Sequence, residues 1–398
     1  MKVKVIDSMT GSGKTVAMIN HMNRSGDDER FFFVTPYLTE IQRVRQCCPD
    51  KHFHEPHQYQ TKLNGLKMLL REGRNIVTTH ALFDYLDDDA CELIKKAGYT
   101  LVMDEVHDVV AKYYISKHDA DAILNNFVEV GDGGVLTWTA DDYEGRFEDC
   151  RRLIEEGRIN APNHKTLVWH FPVSIFECFK DVIIMTYMFD AQVQRAYFDY
   201  YGVEYEPLYI KGDSLETYEI SEVPVEREKL NYKKLIHLCR SRRLNGIGSP
   251  TYALSQNWFE RNARNPEGIP RLRKNIYTFF RRTANAASKE CLWTTFSRFR
   301  STTSGAGYVR GFLSCNARAT NQWKDRRAVA YAANRFIDPN VKTFFYKKGI
   351  KLDDDGFALS ELIQFVWRSA IRDGKEIWLY IPSRRMRRLF EAWLEKGV

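Results

Sequence analysis

The chain of 398 residues is 44% hydrophobic and 28% charged, the balance of a globular protein long enough for two domains. No apolar run approaches the ~18 residues of a membrane span, and Met1-Lys2-Val3-Lys4 leads into a strand pattern rather than a signal peptide. Eight cysteines without a CxxC pair argue for reduced thiols in a cytoplasmic setting and against a zinc site. The net charge of +7 conceals an asymmetry. Residues 1–200 hold 23 Lys+Arg against 31 Asp+Glu, and residues 201–398 hold 36 against 21. In the basic half, arginines alternate with aromatics, which predicts a nucleic-acid partner and no membrane partner.

Val3 to Ile6 alternates as a strand, and a helical pattern starts at Val16. Between them lies Asp7-Ser8-Met9-Thr10-Gly11-Ser12-Gly13-Lys14-Thr15, in the strand, glycine loop, helix order of a phosphate-binding loop. Gly11 and Gly13 let the backbone turn so that N–H groups, that of Ser12 included, face phosphate oxygens. The helix start favours the same anion. Lys14 is placed to reach the β/γ-phosphates and the Thr15 hydroxyl to bind Mg²⁺, so the expected cofactors are ATP and Mg²⁺. Ser8 stands where the pattern opens with glycine.

Phe31 to Val34 reads as a buried strand ending in Thr35-Pro36-Tyr37, followed by an amphipathic helix from Leu38 to Cys47. Further strands are expected at Asn75 to His80, Thr100 to Met103 and Val182 to Met185, with helices from Ala81 to Leu86 and from Ala191 to Tyr201. This alternation implies a parallel sheet, whose ligands sit at the carboxyl ends of the strands. Each of these strands ends in polar or acidic residues. The clearest case is Asp104-Glu105-Val106-His107, where Asp104 suits Mg²⁺ and Glu105 can orient or deprotonate an attacking water. From 108 to 180 the pattern suggests a helix at 112–127, a strand at 135–139, an exposed acidic helix at 141–156 and a strand at 164–171.

Residues 202–232 are polar and read as a connector. Beyond it, helices are expected at 229–243, 254–263, 276–287, 325–336, 357–372 and 384–396, and strands at 291–296, 308–314 and 376–381. Arg368 and Arg372, four apart, would share one face of a helix with Gln364 nearby. Arginine clusters lie near 240–243, 271–274, 281–282, 298–310 and 384–388. Tyr277, Phe279, Phe280, Trp293 and Phe299 lie among them, of which one or two are expected to stack on bases.

The phosphate loop together with Asp104-Glu105-Val106-His107 resembles the DExH-box group of superfamily 2 helicases, in a compact bacteriophage-type form. Thr35-Pro36 resembles motif Ia, Thr78-Thr79-His80 motif Ib, and Met185-Thr186-Tyr187 motif III without its usual small residues. Gln364 to Gly374 resembles motif VI, with arginine spacing of four rather than three and Trp367 in place of glycine. Ala319-Thr320-Asn321, with Trp323 through Asn334, loosely resembles motif V. The resemblance implies an α/β fold of two RecA-like lobes, each a mainly parallel sheet flanked by helices: residues 1–205, a connector at 206–232, and residues 233–398. It implies a nucleic-acid-stimulated ATP hydrolase acting as a helicase or translocase in phage DNA replication or recombination, in the host cytoplasm. Lys14, Asp104, Glu105, His107, Gln364, Arg368 and Arg372 would be catalytic, with Arg372 or Arg368 as the arginine finger. Thr35, Thr79 and Thr320 would grip phosphates of the nucleic acid, single-stranded DNA being favoured over RNA. Replication proteins are further candidate partners, and a monomer is expected over an oligomer. Two other readings stay open: a terminase-type packaging ATPase, which needs a second-half carboxylate cluster such as Asp353-Asp354-Asp355, and a nucleic-acid scaffold gated by ATP.

Overall fold

The computed structural model describes residues 2–225, 231–315 and 322–396. The chain divides into two compact units: residues 1–225 with 337–353, and residues 226–336 with 354–398.

The first unit is built on β1 (Lys2–Asp7), α1 (Lys14–Arg24), β2 (Phe31–Thr35), α2 (Leu38–Cys47), α3 (Lys62–Arg71), β3 (Ile76–Thr79), α4 (His80–Phe83), α5 (Asp88–Ala97) and β4 (Thr100–Asp104). Strand Asp181–Thr186 lies between β1 and β4, followed outward by β2 and β3, all parallel. Every residue of β2 is buried, as a central parallel strand covered on both faces requires. Ile6, Met18, Phe33, Val102 and Met185 form one face of the core. On the other, Phe32 meets Phe83, Tyr99 and Phe179 edge-on.

The sheet continues past β1 into residues read from the sequence as connector. Tyr205–Lys211 pairs parallel with β1, and Glu219–Ser221 pairs antiparallel with it in turn. Leu208 and Ile210 face the core while their neighbours face solvent, and this edge alternation looks polar in sequence. A second departure is the return of residues 337–353 to the first unit. Helix Pro339–Tyr346 stacks Phe344 on Tyr200 at 4.8 Å, and Asn163 donates to Asn340 Oδ1 at 3.3 Å. Residues 110–170 form a satellite: strands Val110–Lys112, Ile159–Asn160 and Val168–His170 make an antiparallel sheet. The helix expected at 112–127 spans only Lys117–Asn126. The acidic one is confined to Glu148–Glu155, where Cys150 and Ile154 are buried.

The second unit holds a four-stranded parallel sheet in the order Ile236–Leu238, Ile377–Tyr380, Ala328–Tyr331, Cys291–Thr294. The α/β class with parallel sheets flanked by helices thus holds for both units. Three local expectations fail here. Residues 236–238 are strand rather than helix, residues 309–311 a single 3-10 turn, and residues 328–331 a strand. The last reads as helix because it is alanine-rich, yet all four residues are buried between two strands, and that packing overrides propensity. Among the described residues no helix is long and apolar enough to cross a membrane.

Phe344 is buried against Tyr200 and His170. Phe344→Ala should therefore lower stability by roughly 3–5 kcal/mol in urea denaturation. The loss should appear in the transition of the first unit, followed through the phosphate-loop half, although the residue lies late in the sequence.

Candidate active site

The loop after β1 is held by its glycines. Gly11 and Gly13 have φ of 89° and 90°, the left-handed region that glycine alone enters without strain. Gly13 is also closely approached, since a Cβ there would stand 2.6 Å from the Tyr218 ring of the edge hairpin. Ser8 donates to Ser12 Oγ at 2.8 Å, so the serine in place of the pattern's first glycine ties the loop across its own width. Lys14 is buried and folds back, donating to the carbonyls of Ser8 at 2.5 Å and Met9 at 3.1 Å.

Thr15, in the first turn of α1, donates to Asp104 Oδ1 at 3.4 Å. The pair spans the intervening Asp181–Thr186 strand and unites the two motifs separated by 89 residues. Burial pushes the Asp104 carboxyl up to about 7; Glu105 and Glu40 add to the rise, and Lys14 and Arg43 oppose it. A hydroxyl beside a carboxylate whose charged form is disfavoured by burial is a donor set that fits Mg²⁺.

Glu105 has a φ of 78°, uncommon for any residue but glycine. Its N–H donates to Met185 O at 2.9 Å, and its Oε2 is buried with no hydrogen-bond partner among the described residues. The hydroxyls of Thr35 and Thr186 are equally buried and equally unpartnered. These three atoms belong to the carboxyl ends of three neighbouring strands, with Val34 beside Met103 and Asp104 beside Met185. Each unpaired buried polar atom costs about 1–3 kcal/mol, so a row of them beside the loop is a place where the fold is ready for a polar ligand.

The other expected site residues differ in their surroundings. Thr35 is fully buried, which leaves its hydroxyl out of reach of a nucleic-acid backbone. Thr79 caps α4 with its side chain unused in the cap and is only half-buried. Thr320 lies outside the described residues, as do Ala319 and Asn321, while the helix expected to follow them holds the strand Ala328–Tyr331. The His107 ring is buried edge-on against Phe83 and Phe171, with Nε2 2.8 Å from Asp84 Oδ1. In the second unit, the helix carrying Gln364 ends at Val366. Ser369 is extended and its hydroxyl donates to Val366 O at 2.6 Å, so buried Arg368 and half-buried Arg372 share no helix face. Phe279, Phe280, Trp293 and Phe299 are core, and of the aromatics named only Tyr277 is exposed.

Sequence reasoning missed Glu40 and Arg43. Glu40 is buried in the first turn of α2 and accepts from Arg43 at 3.0 Å, and both bear on the charge of Asp104. Their signal was an acid on the otherwise apolar face of α2. Among the described residues there is no cluster of three or more metal-ligating side chains, and Asp355 is paired with Arg385.

The raised Asp104 carboxyl has a stability consequence. Its charged form is disfavoured in the folded chain, so its penalty is absent below the unfolded value near 3.8 and complete above about 7. Asp104→Asn should accordingly raise the melting temperature of the nucleotide-free protein at pH 8, with the gain shrinking as pH falls toward 4.

Residues 2–130 match the family model described as type III restriction enzyme, res subunit, and residues 230–394 match the YonV C-terminal Rossmann-like domain. The chain therefore carries a helicase-type domain followed by a Rossmann-like one. Among solved structures it resembles Xpd4 of S. tokodaii, at 12% identity over 98% of this chain and 94% of that one, with a TM-score of 0.47. It also resembles the DUF1998 helicase MrfA bound to DNA and AMPPNP, at 10% identity over 100% of this chain and 48% of that one, with a TM-score of 0.34. A curated relative, the SPbeta prophage-derived uncharacterized protein YonV of Bacillus subtilis (strain 168), is 40% identical over 99% of both chains. With that identity over its whole length, the chain belongs to the YonV family.

Proposed function

We propose that this protein is an ATP-dependent helicase or translocase of the DExH-box kind, hydrolysing ATP·Mg²⁺ at the carboxyl edge of the first unit's sheet. The observation that carries this reading is the Thr15–Asp104 contact beside a row of buried, unpartnered oxygens at Thr35, Glu105 and Thr186. The match of residues 2–130 to a helicase-type family supports it.

In this reading the backbone from Gly11 to Thr15 cradles the phosphates. Lys14 exchanges the carbonyls of Ser8 and Met9 for β/γ oxygens. Thr15 and Asp104 would hold a Mg²⁺ ion, which would supply neutralisation of the charge on the phosphates. Glu105, aimed by its left-handed backbone, takes the role of orienting water in line with the γ-phosphate. Gln364, Arg368 and Arg372 remain the second unit's candidate catalytic residues. Thr79 and the arginine-rich second unit are assigned to the nucleic acid, with single-stranded DNA the first substrate to test and a monomer the first species. A role in phage DNA replication or recombination is suggested by the prophage origin of the YonV relative. The packaging-ATPase reading is less favoured, because no carboxylate cluster that could serve a nuclease is found among the described residues.

Glu105→Gln should retain nucleotide binding and lose turnover by roughly 10²- to 10⁴-fold. The assay is ATP hydrolysis with single-stranded DNA, RNA or duplex at two salt concentrations. Stimulation should weaken as salt rises, since phosphate contacts release counterions. Undiminished hydrolysis in Glu105→Gln would remove the assignment of the water-orienting group.

A further inference from the structure

The backbone at Glu105 is strained, and a strained residue persists only where its neighbours over-determine it. On one side the restraint is the bond from Glu105 N–H to Met185 O. On the other side the chain runs two residues to His107, which is held at three points. Its N–H donates to Gln194 Oε1 at 2.8 Å. Its Nε2 lies 2.8 Å from Asp84 Oδ1, and its Nδ1 lies 3.5 Å from His80 Nδ1. The ring is wedged between Phe83 and Phe171, at 5.4 and 4.8 Å.

Three of these partners, His80, Phe83 and Asp84, come from a single helical turn, α4 with its C-cap. That turn grows directly out of β3, and the residue at the junction is Thr79, half-buried and with its side chain unused in the cap. A shift of Thr79 therefore moves the turn that grips His107, and His107 is the near anchor of Glu105.

We propose that Asp84 and His80 are positioning residues: through His107 they aim the Glu105 carboxylate, and they pass to it the contact that a nucleic-acid backbone makes at Thr79. The inference rests on the reading above and adds to it the route by which the polymer acts on hydrolysis. It also gives His107 a place in that route, as the link between α4 and the acidic edge rather than as a group that touches nucleotide.

The test is steady-state ATP hydrolysis with saturating single-stranded DNA, comparing wild type with Asp84→Ala, Asp84→Asn and His80→Asn. Misaiming a carboxylate by about an ångström should lower stimulated kcat roughly 10- to 100-fold in Asp84→Ala. The KM for ATP should stay within about twofold, because phosphate-loop contacts are not altered. Asp84→Asn, which keeps an acceptor oxygen for the imidazole, should recover most of the rate. His80→Asn removes the more accessible ring and should reduce stimulation in the same sense; it decides the matter if Asp84→Ala does not fold. Wild-type kcat in Asp84→Ala or in His80→Asn, or a loss in Asp84→Asn equal to that in Asp84→Ala, overturns the proposal. A wild-type protein that shows no DNA-stimulated turnover fails the helicase reading itself, a result distinct from the other two.

Discussion

The contact between Thr15 and Asp104 is the constraint on which the first unit's chemistry depends. A hydroxyl from a helix start and a carboxyl from a strand end meet at 3.4 Å, with one strand of the sheet between their own. That geometry exists only because β1, Asp181–Thr186 and β4 run parallel and in register, so that their carboxyl ends finish at one level. The core positions of Ile6, Val102 and Met185 fix this level, since a one-residue slip would turn each of them to the opposite face. Packing thus sets the spacing of two polar groups that never contact the core themselves.

The same edge concentrates the costs that the fold tolerates. Asp104 is lifted toward neutrality by burial, Glu105 bends into a region that suits glycine, and three oxygens lie buried without partners. Other buried polar groups of this unit are matched, as where Lys51 donates to the carbonyls of Ser25 and Gly26 and Tyr99 donates to Arg74 O, while Arg158 Nε and Gln194 Nε2 are buried without a partner among the described residues. Penalties gathered in one row, beside a loop turned by two glycines at positive φ, are what a binding edge looks like before its ligand offsets them.

The parts of this arrangement legible in the sequence are those with short-range signatures. The glycine loop, the four apolar strand runs and α2 are each fixed by residues within a few positions of one another, and each stands where the pattern put it. The hairpin over Gly13 was not legible, because an edge strand exposed on one side has the composition of a linker. The return of residues 337–353 had no local signal either: Phe344 would suit any core, and only its stacking on Tyr200 decides which. The break at Ser369 was hidden by a helical pattern that runs on past it, while a side-chain bond to Val366 O and the burial of Trp367 against Tyr232 and Trp393 end the helix there. His107 was read as facing ligand because its sequence neighbours do. Its ring turns inward because aromatic residues far apart in sequence, Phe83 and Phe171, build a slot for it.

The mixture of arginine and aromatic residues in the second half resolves differently from its appearance in sequence. Phe279 stacks on Tyr380, Phe299 on Phe259, and Trp293 donates its indole N–H to Tyr308 O, so these rings are committed to the core. Part of the basic charge is committed as well: Arg327 binds Glu290, and Arg335 binds Glu361. Others are held in pairs too exposed to count for much, such as Arg298 with Glu260 and Arg271 with Glu267, and these guanidinium groups can exchange a carboxylate for a phosphate at little cost. A polyanion held by this unit would consequently be gripped chiefly through charge, with Tyr277 the one exposed ring among the aromatics named. Such a grip is indifferent to sequence and sensitive to salt, and it releases easily enough to be moved along.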